Sequence, residues 1–238
     1  MKLIIDIGNS NTKIALFDEK NMFSSKILDD YCLKNILEFV SGHKVSSTII
    51  STVKIINSEI SSISTYFNAI ILNSETSVPI KNMYKSIDTL GNDRLAAVIG
   101  ANLLYPLNDI IVFDAGTCLT IDFINSKREY LGGRISPGIE VRYKSLNTFT
   151  DKLPLLSLEN STPFIGNDTY SSIISGVQQG IISEVSSVIS DYRSKNQDIV
   201  ALVTGGDCFF FEKELKKSIF AEPNLVLVGL NEILDFNE

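Results

Sequence analysis

The sequence predicts an α/β fold built from two similar halves, residues 1–107 and 108–238, and three observations favour it. First, segments rich in β-branched residues alternate with segments of helical periodicity, as in folds whose sheets are covered by helices. Second, the succession of strand, turn and strand that opens the chain begins again at residue 110. Third, the two beginnings share residues at one fixed offset, which indicates an internal repeat. The pairs are Asp6 with Asp114, Gly8 with Gly116, and Thr12 with Thr120.

The first half opens with predicted strands at residues 2–7, 13–17 and 22–28, joined by turns rich in Gly, Asn, Ser and Asp. Such short turns favour an antiparallel meander. Next come a helix near residues 33–40, a strand at 48–53, a helix near 56–67 and a short strand at 69–72. Residues 73–90 show no clear period.

A helix is predicted to begin at Asp93 and to run toward Leu104, because its residues are good helix formers and Pro106 follows. The second half then has predicted strands at 110–114, 119–124 and 128–131, a long helical stretch at 168–192, and strands at 199–204 and 225–228. The helical stretch is apolar over more than one stripe, which leaves surface beyond that facing its own sheet. We therefore expect a homodimer that buries this helix.

The net charge of −7 and the scattered Lys and Arg residues lack the electrostatic footprint of a duplex-binding protein, so nucleic acid is not an expected partner. No apolar run approaches the roughly 18 residues that span a membrane. The first apolar run ends at Asp6, too soon for a signal peptide, and we expect a cytoplasmic protein with no membrane partner. The three cysteines are widely spaced and His43 is the single histidine, so no disulfide, zinc site or histidine-dependent triad is expected.

The turn after the first strand combines a carboxylate, a glycine and small polar side chains. Asp6 ends a predicted buried strand, Gly8 permits close approach of a ligand to the backbone, and Lys13 supplies a positive charge. Further side-chain donors come from Asn9, Ser10 and Thr12. Such a turn can hold a phosphate group, although the same residue types also favour a simple hairpin turn.

The second half repeats this chemistry at Asp114, Gly116 and Thr117. Two such turns facing one another across a cleft would hold the β- and γ-phosphates of a nucleotide, with both aspartates directed toward its cations. The repetition therefore weakens the interpretation as unrelated hairpin turns. Later in the chain, Gly205 and Gly206 end a predicted strand and open a helix, so they allow backbone to lie against a phosphate or an adenosine.

Two Asp-x-Gly turns and a late Gly-Gly turn resemble those of the superfamily of acetate and sugar kinases, heat-shock chaperones and actin. Within it, the sequence is similar to the type III pantothenate kinases. Four motifs occur in order: Asp-x-Gly-Asn-Ser-x-x-Lys at residues 6–13, Gly-x-Asp-Arg at 91–94, Asp-x-Gly-Thr-x-x-Thr-x-Asp at 114–122 and Gly-Gly-x-Ile-x-Pro-Gly at 132–138. The sequence departs from the family after Tyr84, where Lys-Ser-Ile replaces x-Asn-Pro, and at Asn92, where a small apolar residue is common.

The resemblance implies two actin-like (ribonuclease H-like) halves with a nucleotide cleft, and ATP-dependent phosphorylation of the primary hydroxyl of pantothenate, the first step toward coenzyme A. Asp93 would accept the hydroxyl proton, and Asp114 would bind a monovalent cation, potassium or ammonium, beside the magnesium nucleotide. The residues implied for ATP are Asp6, Ile7, Gly8, Asn9, Ser10, Asn11, Thr12, Lys13 and Thr117, with Gly205 and Gly206 toward the adenosine. Those implied for pantothenate are Tyr84, Gly91, Asn92, Asp93, Arg94 and Thr169. The family also implies a homodimer with the acceptor pocket at the subunit interface.

Several alternatives stay open. From its position alone, Asp93 is also a candidate helix N-cap, and this role is compatible with catalysis because the helix dipole stabilises an anion there. Three other functions fit parts of the pattern: a sugar or acid kinase of the same superfamily, a non-enzymatic ATP-binding accessory factor in transcription, and an actin-like filament subunit. The short chain disfavours the first, the intact Asp93 disfavours the second, and the lack of recognisable polymer contacts disfavours the third.

Overall fold

The computed structural model describes residues 1–238, and the contacts within it divide the chain into two compact units. The first unit contains Met1–Leu107, Phe123–Gly132 and Asn224–Glu238, and the second contains Asn108–Asp122 and Gly133–Pro223. Both units combine strands with helices, which confirms the predicted α/β class. The first unit is assembled from three segments of chain, and the assignment of separate roles to residues 1–107 and 108–238 stays a prediction.

The strands are β1 (Lys2–Ile7), β2 (Thr12–Asp18), β3 (Asn21–Leu28), β4 (Ser47–Thr52), β5 (Ile70–Ile71), β6 (Lys81–Asn82), β7 (Ile110–Ala115), β8 (Cys118–Ile124), β9 (Glu129–Pro137), β10 (Val200–Thr204) and β11 (Phe220–Ala221). The helices are α1 (Leu33–Phe39), α2 (Ser58–Phe67), α3 (Asn92–Leu104), α4 (Ile139–Thr148), α5 (Thr169–Ile174), α6 (Gly180–Arg193), α7 (Cys208–Leu215) and α8 (Leu225–Phe236). A π-helical turn, Ser175–Gln179, joins α5 to α6. None of these helices has the length and apolar character needed to cross a lipid bilayer.

The sheet of the first unit has the strand order β3-β2-β1-β4-β5. β2 pairs antiparallel with both β1 and β3, which confirms the predicted meander. β4 joins β1 in parallel, so the carboxyl ends of these two strands lie at the same edge of the sheet. The helices α1 and α2 contribute Ile36, Ile60 and Ile63 to the apolar core that contains the inward-facing residues of β1. This packing fixes the strand ends that carry the first Asp-x-Gly turn, residues 6–11, which we call the first phosphate turn after its predicted ligand; the turn at residues 114–117 is the second.

The helices α3 and α8 pack against each other, and both contact β4. Every residue of α3 from Arg94 to Asn102 is buried. A Cβ atom on Gly229 of α8 would overlap the carbonyl oxygen of Ala96, so the two helix backbones are in direct contact. The start of α3, which carries Asp93, is therefore held by the last helix of the chain.

In the second unit, β10 pairs in parallel with β7 and with β11. The strand order continues from β7 through β8 to β9, so the predicted second start of strand, turn and strand is confirmed. The tip of the β8–β9 hairpin belongs to the first unit, where β6 pairs with Glu129 and Tyr130. Each unit thus presents one Asp-x-Gly turn at the end of a buried strand.

The predicted strand at residues 225–228 is wrong, because these residues begin α8. The run Leu-Val-Leu-Val has the composition of a buried strand, and periodicity does not separate a short buried strand from one turn of a buried helix. Leu230, Ile233 and Leu234 continue the apolar pattern at helical spacing and are buried as well. In addition, α4 was not predicted, and β9 extends six residues beyond the predicted end at residue 131.

The long helical stretch is confirmed, although the π-helical turn divides it. Its apolar side chains are already covered within the chain. Ile173, Ile174, Val177, Ile181, Val185, Val188 and Ile189 are all buried, and only Ile182 is half-buried. The uncovered second stripe that motivated the expected homodimer is therefore absent from this helix.

Candidate active site

The first phosphate turn begins with a row of three polar side chains across neighbouring strands. Asp6 of β1 is the register partner of Lys13 on β2 and of Ser51 on β4. The Ser51 hydroxyl donates a hydrogen bond to Asp6 Oδ1 at 3.0 Å. Ser51 is fully buried and was not predicted, since its place beside Asp6 depends on the parallel pairing of β1 with β4. A hydroxyl at the carboxyl end of a predicted strand is the only signal in the sequence that pointed to it.

The turn itself, residues 8–11, is closed by a hydrogen bond from the Gly8 amide to the Asn11 carbonyl at 3.0 Å. The side chains of Asn9, Ser10 and Asn11 are exposed, as a turn that receives a ligand requires. Ile7 lies in the core instead, and its carbonyl accepts from the Val53 amide. Thr12 is also buried. Within the predicted ATP segment, the structure therefore separates exposed polar residues from residues that anchor the turn.

Asp6 lies in an environment that disfavours its charged form. Burial raises the pKa of its carboxyl to about 6, and the nearby Asp93 carboxylate adds to this increase. The hydrogen bond from Ser51 and the charge of Lys13 oppose it. This effect of Asp93 on the pKa of Asp6 indicates that the two carboxylates lie near each other, although 87 residues separate them in sequence. A cation bound there would relieve the repulsion.

Asp93 is the second residue of α3, and the N-cap is Gly91. The helix therefore begins one residue before the predicted start at Asp93. The alternative interpretation of Asp93 as the N-cap is wrong, because the N-cap lies two residues earlier. Asp93 Oδ1 accepts a hydrogen bond from the Arg94 amide at 2.8 Å. A Cβ atom on Gly91 would overlap this same oxygen, so the absence of a side chain at Gly91 leaves room for the carboxylate.

Arg94, another residue predicted to bind the acceptor, has a buried side chain. Its guanidinium carbon lies 5.5 Å from the centroid of the Tyr84 ring, within the range of a cation–π interaction. Tyr84 in turn stacks on Tyr130, with centroids 6.0 Å apart and an interplanar angle of 11°. Thus Tyr84 is held between two neighbours even though the loop after it departs from the family pattern.

Asn92 has a role that the sequence did not indicate. Its Nδ2 donates to the carbonyl oxygen of Leu72 at 2.9 Å and to that of Thr52 at 3.5 Å. These carbonyls lie at the carboxyl ends of β5 and β4, so the amide ties the first turn of α3 to the edge of the sheet. This is a structural reason for an amide where the family commonly has a small apolar residue.

In the second unit, the Gly-Gly turn lies directly against the second Asp-x-Gly turn. Gly205 has φ = +89°, which favours glycine, and a Cβ atom there would lie 2.5 Å from Asp114 Oδ1. The Asp207 amide donates to the carbonyl oxygen of Ala115 at 3.0 Å. A Cβ atom on Gly206 would meet no atom within 4 Å, so one side of this turn is open.

Asp114 has a hydroxyl residue beside it, as Asp6 has. Its register partner on the parallel strand β10 is Thr204, and register partners point to the same face of a sheet. Thr204 is buried, and its Oγ1 has no hydrogen-bond partner. An unpaired buried hydroxyl next to a carboxylate is suited to a cation, because both groups offer oxygen ligands.

The second phosphate turn is shorter than the first. It contains only Gly116 and Thr117, and the Gly116 amide donates to the Cys118 carbonyl at 3.0 Å. The fixed offset of the repeat therefore matches equivalent positions of the structure for Asp6 with Asp114 and Gly8 with Gly116. It does not match them for Thr12 with Thr120, because the two turns differ in length. The Thr117 side chain is exposed, and its carbonyl accepts from the Gly138 amide at 3.0 Å, which joins the turn to the start of α4.

Two acidic residues near these turns were not predicted to belong to the site. Asp207 ends the Gly-Gly turn, and burial raises the pKa of its carboxyl, with a further contribution from Glu140 in the first turn of α4. Asp207 and Glu140 therefore add negative charge to the region of the second phosphate turn. No group of three or more His, Cys, Asp or Glu side chains forms a metal site by itself anywhere in residues 1–238.

Thr169, the remaining predicted acceptor residue, is exposed at the first position of α5. The helix is capped by Asp168, whose side chain accepts from the Ser171 amide at 2.7 Å. This hydrogen bond is the main reason that the pKa of Asp168 lies below its usual value. The capping box fixes the backbone at Thr169 and leaves its hydroxyl at the surface.

Comparison with solved structures shows the class of fold. The chain is similar to a glucokinase from an Antarctic psychrotroph, with a TM-score of 0.52 and 14% identity over 99% of this chain and 98% of that one. It is also similar to a Campylobacter jejuni protein described as a conserved Baf family transcriptional activator, with a TM-score of 0.65 and 25% identity over 99% and 98% of the two chains. The fold is thus the two-lobed, actin-like fold of sugar kinases, as predicted.

Comparison of sequences is more specific. A sequence model of the type III pantothenate kinases matches residues 2–191. A type III pantothenate kinase from Phocaeicola vulgatus is 42% identical over 100% of this chain and 99% of its own length. One from Cytophaga hutchinsonii is 41% identical over the full length of both. The chain belongs to the type III pantothenate kinase family, as its motifs predicted.

Proposed function

We propose that this protein transfers the γ-phosphoryl group of ATP to the primary hydroxyl of pantothenate, which gives 4'-phosphopantothenate in the first step of coenzyme A synthesis. The observation that carries the proposal is the effect of the Asp93 carboxylate on the raised pKa of the half-buried Asp6, in a chain that belongs to the type III pantothenate kinases. The two carboxylates supply a proton acceptor and a cation-binding group at one site.

In the proposed reaction, the hydroxyl oxygen of pantothenate attacks the γ-phosphorus while the bond from that phosphorus to the bridging oxygen breaks. ADP leaves with the electron pair, and Asp93 accepts the hydroxyl proton. Phosphoryl transfer has a loose transition state and the proton leaves late, so a carboxylate is basic enough. The Arg94 amide donates to Asp93 Oδ1, and the positive end of α3 favours a negative charge at this position.

The nucleotide is assigned to the two Asp-x-Gly turns. The proposed ATP-binding residues are Asp6, Ile7, Gly8, Asn9, Ser10, Asn11, Thr12, Lys13 and Thr117, with Gly205 and Gly206 toward the adenosine. Ile7 and Thr12 contribute through the backbone, because their side chains are buried. Lys13, as the register partner of Asp6, lies where it neutralises phosphate charge.

Two cations are part of the proposal. Magnesium bound with ATP supplies charge neutralisation at the phosphates, and Asp6 offers it a carboxylate oxygen, the ligand type that it prefers. A monovalent cation, potassium or ammonium, is assigned to Asp114. The unpaired hydroxyl of Thr204 beside Asp114 supports this second site.

Pantothenate is assigned to Tyr84, Gly91, Asn92, Asp93, Arg94 and Thr169. Arg94 and Tyr84 provide a charged and an aromatic surface for a carboxylate-bearing acceptor. Asn92 acts by fixing the start of α3, since its amide donates to backbone carbonyls. Thr169 provides a hydroxyl at the surface of the second unit.

The active form is proposed to be a cytoplasmic homodimer. The long helix no longer supports this proposal, since its apolar side chains are buried within the chain, but another segment does. The segment that leads to Thr169 exposes large apolar side chains, with Phe149 85% exposed, Phe164 83% and Ile165 78%. Exposed large apolar side chains mark association surfaces, and Phe164 and Ile165 lie close in sequence to Thr169, a proposed acceptor residue. A second copy that covers them would bring Thr169 to a shared pocket.

A second candidate function is an ATP-binding accessory factor in transcription. The similarity to the Campylobacter jejuni protein described as a Baf family activator favours it. Retention of the Asp6 and Asp93 pair favours the kinase, because a binding protein has no need for a proton acceptor.

The test uses purified protein with ATP, magnesium, potassium and pantothenate, and mass detection of 4'-phosphopantothenate. A panel of sugars serves as alternative acceptors, and Asp93→Asn serves as the inactive control. Phosphorylation of pantothenate alone is the expected result. Phosphorylation of a sugar instead, or of no acceptor with ATP still bound, would reject the proposal in favour of another kinase or of the accessory factor.

A further inference from the structure

A long irregular segment, residues 150–168, connects α4 to α5 and ends at Thr169. Structureless connections longer than about 12–15 residues are uncommon in compact domains and usually serve a function. This one is not loose, because a buried side chain of the following helix holds its middle. That side chain is Gln178, which is fully buried within the π-helical turn Ser175–Gln179.

The Gln178 amide uses its full hydrogen-bonding capacity. Its Oε1 accepts from the Tyr143 hydroxyl at 2.8 Å and from the Glu159 amide at 2.9 Å. Its Nε2 donates to the Glu159 carbonyl at 3.0 Å and to Thr162 Oγ1 at 2.6 Å. One side chain thus holds both backbone groups of Glu159, as a strand partner would, in a segment that has no strand partner.

Glu159 passes this restraint on to the acceptor residue. Its Oε1 accepts from the Tyr170 hydroxyl at 2.6 Å, and Tyr170 follows Thr169 directly. The hydrogen bond to Glu159 is the main reason that the pKa of Tyr170 is raised. On the other side, Tyr143 lies on α4, which starts at the second phosphate turn through the Gly138 amide. Burial raises the pKa of Tyr143 to about 12, so it stays a neutral donor.

We infer that Gln178 is a positioning residue for the acceptor site: through Glu159 and Tyr170, its amide holds the segment 150–168 in the arrangement that presents Thr169 to pantothenate. The π-helical turn supports this role, since such turns insert a residue into a helix and occur frequently at functional sites. The inference rests on the proposed function, because it requires that Thr169 contacts pantothenate.

The test compares Gln178→Leu, Thr169→Ala and wild type by steady-state kinetics with each substrate varied separately. Leucine keeps the volume and leaves the polar groups of Glu159 unpaired. We expect the KM for pantothenate to rise about tenfold in Gln178→Leu, with the KM for ATP nearly unchanged. The reason is that the loosened segment no longer presents Thr169, and the hydrogen bond from Thr169 to pantothenate corresponds to roughly a factor of ten. Gln179→Leu is the matched control, because Gln179 is adjacent and makes none of these hydrogen bonds.

The outcomes distinguish a failure of the proposed acceptor role of Thr169 from a failure of the positioning role of Gln178. If Thr169→Ala leaves the KM for pantothenate unchanged, the acceptor role of Thr169 in the proposed function is wrong. If Thr169→Ala raises that KM and Gln178→Leu does not, Gln178 serves only the packing of the core and the inference is overturned. If Gln178→Leu does not fold, the double variant Thr162→Val with Tyr170→Phe tests the inference instead. A raised KM for pantothenate in this variant would support the positioning role of Gln178, and an unchanged KM would overturn it.

Discussion

The Ser51 hydroxyl donates to Asp6 Oδ1 at 3.0 Å across two parallel strands on which these residues are register partners. The second unit repeats the relationship with Thr204 and Asp114, also register partners on parallel strands. There the hydroxyl oxygen is buried and unpaired. The internal repeat therefore includes the neighbouring strand of each unit. The two copies differ in one respect: the Ser51 hydroxyl forms a hydrogen bond within the protein, whereas the Thr204 hydroxyl does not.

We predict that Asp6→Asn inactivates the enzyme and stabilises the free protein at pH 7.5. Because the pKa of Asp6 is raised from 3.8 to about 6 on folding, its stabilising contribution is present below pH 3.8 and is lost as the pH rises through 6. The variant should gain up to about 3 kcal/mol at pH 7.5. Denaturant unfolding without nucleotide at pH 4 and pH 7.5 measures this gain, which should shrink at the lower pH. Asp18→Asn, at an exposed position, is the control, and an unchanged stability of Asp6→Asn at pH 7.5 would contradict the prediction.

Asp93→Asn should lower kcat by about a hundredfold or more and leave ATP binding nearly intact, because general-base catalysis contributes of the order of 10² to 10⁴. The amide keeps the size of the carboxylate and loses the proton acceptor. Turnover with saturating substrates and ATP binding by calorimetry are the two measurements. Near wild-type turnover would mean that the base lies elsewhere.

Gly91→Ala should reduce kcat through displacement of the Asp93 carboxylate, since the new Cβ would overlap Asp93 Oδ1. The backbone of Gly91 has φ = −60°, which alanine adopts without strain, so the loss is specific to the carboxylate. We expect at least a tenfold decrease in kcat with an unchanged melting temperature. Gly180→Ala is the matched control, because a Cβ atom there meets nothing within 4 Å. Equal kinetics of the two variants would show that Asp93 has room to move.

Activity should require potassium or ammonium, and both Asp114→Asn and Thr204→Val should weaken the response. A cation bound at this site adds positive charge where the transferring phosphoryl group develops negative charge. The measurement is a potassium titration in Tris buffer with saturating magnesium. If Thr204→Val only stabilises the protein and leaves the titration unchanged, the hydroxyl is not a ligand. Full activity of the wild-type protein without potassium or ammonium would show that there is no functional monovalent-cation site at Asp114.

The protein should be a dimer in solution, and Phe164→Asp with Ile165→Asp should make it monomeric. Both side chains are largely exposed in the single chain, so their replacement should cost little folding stability. Light scattering gives the mass, and the KM for pantothenate reports whether a partner completes the acceptor site. A wild-type monomer with full activity at assay concentration would refute the proposal.

The order of elements in the first unit was largely predictable, because β1, β2, β3 and α1 carry local signals: turn residues between strands and a single apolar stripe. The prediction of a strand at residues 225–228, where the structure has the start of α8, was wrong for a physical reason. Its side chains are buried on most sides, so the periodicity that separates the two structures is lost. The same holds for α3, whose helix was recognised from its good helix formers and not from an apolar stripe.

The motif residues of the site were predictable, and their partners were not. Asp6, Asp93 and Asp114 stand in short sequence motifs, whereas Ser51 and Thr204 matter through strand register, which a single sequence does not specify. Gln178 is further removed, since its role depends on a π-helical turn and an irregular segment. Side chains whose partners are distant in sequence produce no local sequence pattern, so their roles cannot be predicted from a single sequence.

The packing of α8 on α3 has a consequence for synthesis on the ribosome. The buried helix that carries Asp93 is translated well before the segment Asn224–Glu238 that covers it. During elongation its apolar surface is therefore without its native partner, and the first unit closes only after the second has emerged. Asp93, the proposed proton acceptor, therefore reaches its final surroundings only after α8, which is translated much later, has emerged.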